Sequence, residues 1–231
     1  MRFSSDQIQK IGKEISSKVD GKTLFDEFSR GRYSTDASVY QIKPLGVVLP
    51  KDTNDVLNLM EYSQKNSIPL LARGGGSSQC GQTVGESVVL DYSKHQNKIL
   101  ELNVEEKYVW VQPGVVLDHL NSFLRPYGLW FPVDVSTSSR ATIGGMSANN
   151  SCGSRSLYYG NMVHNVLAIE AILDDGSLHT FDQINKNYLT TTNNQDRFYK
   201  IIDKFLNLRQ KVSKDIDENW PTTQRLSLIH I

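Results

Sequence analysis

The sequence predicts an α+β fold, on three observations. Apolar residues recur at helical spacing in some windows and as short strand-like runs in others. The two kinds of segment do not alternate strictly, which argues against a doubly wound parallel sheet. Glycine-rich blocks then interrupt the pattern, at Arg73-Gly74-Gly75-Gly76-Ser77-Ser78 and from Ile143-Gly144-Gly145 to Asn149-Asn150-Ser151-Cys152-Gly153. Glycine runs allow positive φ and let backbone N–H groups approach a ligand closely, which suits a pyrophosphate. Two such blocks predict a chain built around an elongated, phosphate-containing ligand.

Each element has its own signal. Ile8, Ile11, Ile15 and Val19 form an amphipathic helical stripe, Ser4 and Gln7 make a capping box, and Gly21 is the expected stop. Residues 30–40 are polar and turn-rich. Pro44 and Pro50 bound a short apolar strand, and Asp52-Thr53 caps a helix carrying Val56, Leu57, Leu59 and Met60. Residues 68–72 form the next strand, so the first glycine block directly follows a β-α-β unit. Strands are predicted over 88–91, 98–102 and 108–111, then a helix with Val116, Leu117, Leu120 and Leu124 that ends near Gly128. The second block follows a polar Ser/Thr stretch. Residues 166–173 and 177–181 read as a hairpin turning at Asp174-Asp175-Gly176, and residues 198–208 as a helix.

Composition excludes several classes. The 25 basic and 25 acidic residues cancel, with no basic run, so neither nucleic acid nor an anionic membrane surface is an expected partner. Cys80 and Cys152 fit no metal-ligand spacing and no disulfide framework, and no metal site is predicted. No stretch approaches the roughly eighteen apolar residues of a transmembrane helix. The amino terminus lacks the apolar core of a signal peptide, and a cytoplasmic location is expected.

Two familiar phosphate motifs fail on inspection. Residues 76–83 come within one residue of a P-loop, but Gln82 stands where the phosphate-neutralising lysine belongs, and the following segment reads as loop and strand rather than helix. Gly74-x-Gly76 begins a dinucleotide fingerprint, yet Gln79 replaces its third glycine. Asp91 lies at a suitable distance for a ribose-binding acid, but no crossover helix intervenes.

A ligand spanning both blocks fits better. Arg73 to Gly85, Val111-Gln-Pro-Gly-Val115, Phe131-Pro-Val-Asp134, Ala141-Thr-Ile-Gly-Gly-Met146, Asn149-Asn-Ser-Cys-Gly153 and Tyr159-Gly160 follow one another in a characteristic order. Together they resemble the FAD-binding (PCMH-type) domain of the vanillyl-alcohol oxidase superfamily. Residues 32–41 and 45–50 are similar to the D-2-hydroxyacid dehydrogenase branch, especially the long bacterial proteins of the D-2-hydroxyglutarate and D-lactate dehydrogenase type that add an iron–sulfur domain. The resemblance implies a two-lobed fold with FAD between the lobes. It places the pyrophosphate on Gly74, Gly75, Gly76, Ser77 and Ser78, with Arg73 positioning the loop. Pro132, Thr137, Gly144, Gly145, Asn149, Ser151 and Gly153 are implied along the flavin and ribityl chain, and Ile169 near the adenosine. Relatives that attach flavin covalently use a histidine or a cysteine where this chain has Ser77 and Ser138, so non-covalent FAD is implied.

The chemistry implied is oxidation of a D-2-hydroxy acid by hydride transfer to FAD, with electrons passed to a separate acceptor. An oxidase using dioxygen, or a flavin-binding module without catalysis of its own, are the alternatives. Such an oxidation needs a base and cations for the substrate carboxylate. Of His95, His119, His164, His179 and His230, only His164 lies near the second block, where a structural role and a base role both remain open. Arg140 and Arg155 bracket that block, and Asp134 reads as a turn cap. In the family the substrate cations and metal-binding histidines lie in a later cap domain, so no catalytic residue is assigned. The sequence holds no Cys-x-x-Cys run, so any iron–sulfur cluster belongs to a carboxy-terminal part beyond it. The expected organisation is a helix and polar lead-in over 1–40 and the FAD-binding domain over 41–225, incomplete at its carboxy terminus. Residues 226–231 read as a non-native tail, which marks the chain as an amino-terminal fragment.

Overall fold

The computed structural model describes residues 3–183 and 197–221 of the 231-residue chain. The chain divides into two compact units, Met1–Asn165 and Val166–Ile231.

In the first unit, α1 (Ser5–Ser16) begins with the anticipated capping box: Ser4 Oγ accepts from the Gln7 N–H at 3.3 Å, and Gln7 Oε1 accepts from the Ser4 N–H at 2.7 Å. Ile8, Ile11 and Ile15 are buried. The helix stops at Ser16, short of Gly21, which is not its cap. Gly21 instead packs against the Leu49 carbonyl and donates its N–H to Asp55 Oδ2 at 2.9 Å. Two short elements follow that the sequence pattern did not reveal, β1 (Lys22–Leu24) and α2 (Glu27–Arg32). Each is too short to show a period, although the Asp26 carboxylate caps α2 by accepting from the Ser29 N–H at 2.9 Å.

The central sheet comprises β1, β2 (Gly46–Leu49), β3 (Leu70–Arg73) and β4 (Val88–Asp91), in the order β1-β2-β4-β3. β4 pairs in parallel with both β2 and β3, while β1 runs antiparallel to β2. α3 (Thr53–Asn66), capped by Asp52, connects β2 to β3. The β-α-β unit is therefore present, with β4 inserted between its strands. Every residue of β2 and β4 is buried, which explains the apolar runs Val47–Leu49 and Val88–Leu90. Tyr33, Val47, Leu49 and Val89 make a core cluster with Leu24 and Leu71 against it. Each buried aliphatic side chain contributes roughly 1.5–3 kcal/mol to the folded state.

A second core forms around the antiparallel hairpin of β5 (Ile99–Asn103) and β6 (Tyr108–Val111) and the helix α4 (Leu117–Leu124). Val115, Leu120 and Leu124 pack there with Val109, Val111 and Ile143. A 3-10 turn (Arg125–Tyr127) ends at Gly128, whose φ of +69° reverses the chain. Three short helices follow: α5 (Ile143–Ala148), α6 (Ser156–Tyr159) and α7 (Met162–Asn165). Gly144 and Gly145 thus lie inside a helix rather than in the open loop that their composition suggested, and the positive φ of the second block falls on Asn150, at +44°. Helix packing explains Gly144, because a Cβ there would come within 2.5 Å of Pro113 Cβ.

The second unit holds the hairpin β7 (Ile169–Ile172) and β8 (Leu178–Phe181), turning at Gly176, and the helix α8 (Arg197–Asn219). The Phe198 ring meets Phe181 edge-on at 4.9 Å and stacks on His179 at 4.7 Å. Arg197 pairs with Asp174 and Asp175 of the turn. α8 is eleven residues longer at its carboxy end than its apolar pattern indicated, running to Asn219. Residues 226–231 and His230 lie outside the described residues. No helix among the described residues is long and apolar enough to cross a membrane.

Candidate functional site

The first glycine block leaves the carboxyl end of β3, the position at which parallel sheets commonly bind ligands. Among the described residues, none of the N–H groups of Gly74, Gly75, Gly76, Ser77 and Ser78 donates a hydrogen bond. Five consecutive free donors are the kind of group an anion accepts from. Their geometry is enforced from two sides. A Cβ on Gly75 would lie 3.0 Å from the Arg140 carbonyl carbon and closer still to its oxygen, while one on Gly74 would strike Thr142 Oγ1. Gly76 has φ +66°, which disfavours any side chain.

Those contacts bring the two blocks together. Thr142 is 2 % exposed and caps α5, its Oγ1 accepting from the Gly145 N–H at 3.4 Å. Beyond the glycines, Gln82 Nε2 donates to Asn149 Oδ1 at 2.9 Å, joining the far end of the first loop to the end of α5. Thr142 was not among the residues singled out by sequence. A threonine three residues before Gly145 was a legible cap, but the adjacent glycines disguised the helix it begins.

The second block's donors are mostly committed. Gly144 N–H donates to the Pro113 carbonyl at 2.9 Å, Asn149 to Gly145 at 3.1 Å, Ser151 to Met146 at 2.9 Å, and Gly153 to Ser156 Oγ at 2.9 Å. This block therefore presents a rigid wall rather than a second anion cradle. Thr137 stands at its approach, its carbonyl accepting from the Arg140 and Ala141 N–H groups at 2.8 Å each. Pro132 is half-buried between Phe131 and Val133. Ile169 belongs to β7 in the second unit and is 45 % exposed.

Arg73 faces the protein. Its Nη2 donates to the Thr35 carbonyl at 2.9 Å, and Nη1 to those of Thr83 at 3.3 Å and Tyr33 at 3.5 Å. The guanidinium also lies over the Tyr33 ring, 5.2 Å from its centroid. Tyr33 OH donates to Asp91 Oδ2 at 2.6 Å, and Ser93 contributes its N–H and hydroxyl to Oδ1. Asp91 is thus a buried structural acceptor, and burial together with the Asp91 hydrogen bond pushes the Tyr33 phenol well above its ordinary range.

Near the second block, Asp134 behaves as a turn cap, accepting from Ser154 Oγ at 2.6 Å and the Arg155 N–H at 2.9 Å. Partial burial pushes its carboxyl up, but the bonds from Ser154 and Arg155 outweigh that and hold it below the usual carboxylate range. Arg155 lies over Trp130, 5.0 Å from the ring centroid. Both border a cleft of about 220 Å³ with Asp118, Asn121, Phe131 and Asp134. His164 is exposed, and its Nδ1 accepts from the Asn161 N–H at 3.1 Å, a structural capping role. Cys152 is half-buried and Cys80 exposed, and both are free thiols. The described residues hold no cluster suited to a metal ion.

Comparison with known proteins agrees with this geometry. A family model described as an FAD binding domain matches residues 44–182. The D-2-hydroxyglutarate dehydrogenase of Haemophilus influenzae is 43% identical over 158 residues, covering 66% of this chain and 15% of that protein. The enzyme of the same name from Escherichia coli is 39% identical over 161 residues, covering 68% of this chain and 16% of its own length. Among solved structures, BBE-like 1 of Physcomitrella patens superposes with a TM-score of 0.66 at 20% identity, covering 77% of this chain and 39% of that one. The chain belongs to the FAD binding domain family, with an α+β fold of the PCMH type and FAD as its cofactor. It spans about 15% of the length of these dehydrogenases. The residues present fit such a cofactor: the first glycine loop offers unpaired N–H donors of the kind an anionic group accepts from, and its glycines carry no side chain over them.

Proposed function

We propose that the chain is the flavin-binding portion of a dehydrogenase that oxidises a D-2-hydroxy acid and passes the electrons to a separate acceptor. The observation that carries this reading is the row of five free N–H donors, from Gly74 to Ser78, fixed against Arg140 and Thr142. Those donors hold the pyrophosphate, and Arg73 fixes the loop from behind. Pro132, Thr137, Gly144, Gly145, Asn149, Ser151 and Gly153 line the flavin and ribityl side. When bound, FAD supplies the hydride acceptor. Ser77 and Ser138 offer no nucleophile suited to a flavin linkage, so the cofactor is held non-covalently. The substrate class rests on the similarity to D-2-hydroxyglutarate dehydrogenases, and the substrate is a small 2-hydroxy acid.

Thermal unfolding of the 231-residue chain, alone, with FAD and with Mg-ATP, tests the binding assignment. A midpoint raised by FAD alone is the expected result, and one raised by ATP but not FAD sinks the reading. For the reaction, anaerobic addition of D-2-hydroxyglutarate to the full-length gene product is expected to bleach its flavin absorbance. Bleaching by the L-enantiomer alone would contradict the substrate assignment.

A further inference from the structure

We propose that residues 33–40 act as a clasp that positions the pyrophosphate loop for FAD, with Asp36 as its positioning residue; this rests on the assignment of that loop in the preceding section. The segment precedes residues 44–182, which the family model matches, yet it holds the loop at three points.

The clasp is itself a small hairpin. Thr35 and Gln41 form an isolated antiparallel bridge, and the Ile42 N–H donates to the Ser34 carbonyl at 2.9 Å. Asp36 Oδ1 accepts from the Ser38 N–H at 2.8 Å, which fixes its carboxylate within the turn. The opposite oxygen, Oδ2, accepts from the Thr83 hydroxyl at 3.0 Å and lies 3.5 Å from the Thr83 N–H. Thr83 lies just beyond the glycine loop, and its carbonyl accepts from Arg73 just before the loop. The carbonyls of Tyr33 and Thr35 accept from the same guanidinium. The third point is Tyr40, whose ring covers Gly81: a Cβ there would meet Tyr40 Cδ2 at 2.5 Å.

Both ends of the loop are therefore tied to one hairpin, through Arg73 at the start and through Thr83 and Gly81 at the finish. Within the loop, Ser78 Oγ donates to Gln82 Oε1 at 2.6 Å and accepts from the Cys80 N–H at 3.1 Å, but neither bond engages the five free N–H groups. External ties hold the donors convergent before the ligand arrives and reduce the ordering cost of binding. Asp36 bears most of the far tie, because a charged acceptor makes the stronger hydrogen bond.

The test measures FAD affinity and the unfolding midpoint without FAD for the 231-residue chain and its variants. Asp36→Ala is expected to weaken FAD binding about tenfold, and Thr83→Val about threefold. The double variant should be no weaker than Asp36→Ala alone, because both act through one hydrogen bond. Asp36→Asn keeps a partner for Ser38 and Thr83 and is expected to recover most of the affinity, which a generally damaged fold would not do. If Asp36→Ala does not fold, the near-isosteric Thr83→Val carries the test. Unchanged affinity in the Asp36 and Thr83 variants, with binding still lost in Gly75→Ala, overturns the clasp and leaves the loop assignment standing. Unchanged affinity in all of them, Gly75→Ala included, overturns both.

Discussion

Replacing Gly75 with alanine is the sharpest perturbation of the site. The added Cβ would stand 3.0 Å from the carbonyl carbon of Arg140 and closer to its oxygen, inside any normal separation. Arg140 cannot yield easily, because its N–H and that of Ala141 both donate to the Thr137 carbonyl at 2.8 Å. The loop must move instead, and overpacking of this kind costs about 1–3 kcal/mol. In a protein of this size each kcal/mol lowers the midpoint by roughly 2–4 °C. Binding suffers more. Displacing the loop misaligns consecutive donors, and losing two charge-assisted hydrogen bonds weakens FAD by about a hundredfold or more. Gly85→Ala is the control, since its Cβ would meet Leu71 Cδ2 at 3.5 Å and Ser87 Oγ at 3.7 Å, both ordinary contacts. Flavin fluorescence titration reads the dissociation constants. Gly75→Ala binding FAD as tightly as the unsubstituted chain would refute the reasoning.

Further outcomes follow from the side chains behind the loop. Arg73→Lys cannot serve three carbonyls and the face of Tyr33 together, so stability should fall by about 1–2 kcal/mol in urea unfolding, with weaker FAD binding. Tyr33→Phe removes the 2.6 Å bond to buried Asp91 and is expected to cost about 1–2 kcal/mol by the same measurement. Because the Tyr33 phenol is raised by burial and by Asp91, its contribution is complete below the ordinary tyrosine range. That contribution is lost as pH climbs through the raised value, so alkaline unfolding of wild type and Tyr33→Phe should converge. His164→Ala loses a cap worth about 1 kcal/mol but leaves FAD affinity unchanged; weakened FAD binding would give His164 a role its geometry does not show.

The sequence exposed the fold wherever an element was long enough to carry a period. α1, α3, α4 and the strands of the central sheet beyond β1 lie where their apolar spacing placed them. β1, with three residues, and α2, with six, are too short to display one. The insertion of β4 between β2 and β3 is a long-range pairing that no local pattern encodes. At the site, the first glycine run announced itself because its chemistry is local. The second misled because glycine can serve helix packing as well as turns, and the Thr142 cap between Ala141 and Ile143 was overlooked with it. Asp91 invited a ribose-binding role by its spacing alone. Its real partners, Tyr33 and Ser93, became visible only when the sheet brought residue 33 beside the end of β4. No local pattern showed that the Arg73 guanidinium donates to the carbonyls of Tyr33 and Thr35.

The central claim is that the N–H groups of Gly74 to Ser78 receive the pyrophosphate of FAD. Amide proton–nitrogen NMR of the isotopically labelled 231-residue chain, recorded before and after FAD, tests it most directly. Large downfield shifts and slowed solvent exchange are expected chiefly at those five amides, with Gly144 and Gly153 responding less because their N–H groups are already bonded. FAD binding that leaves the five amides unshifted and exchanging as before would contradict it.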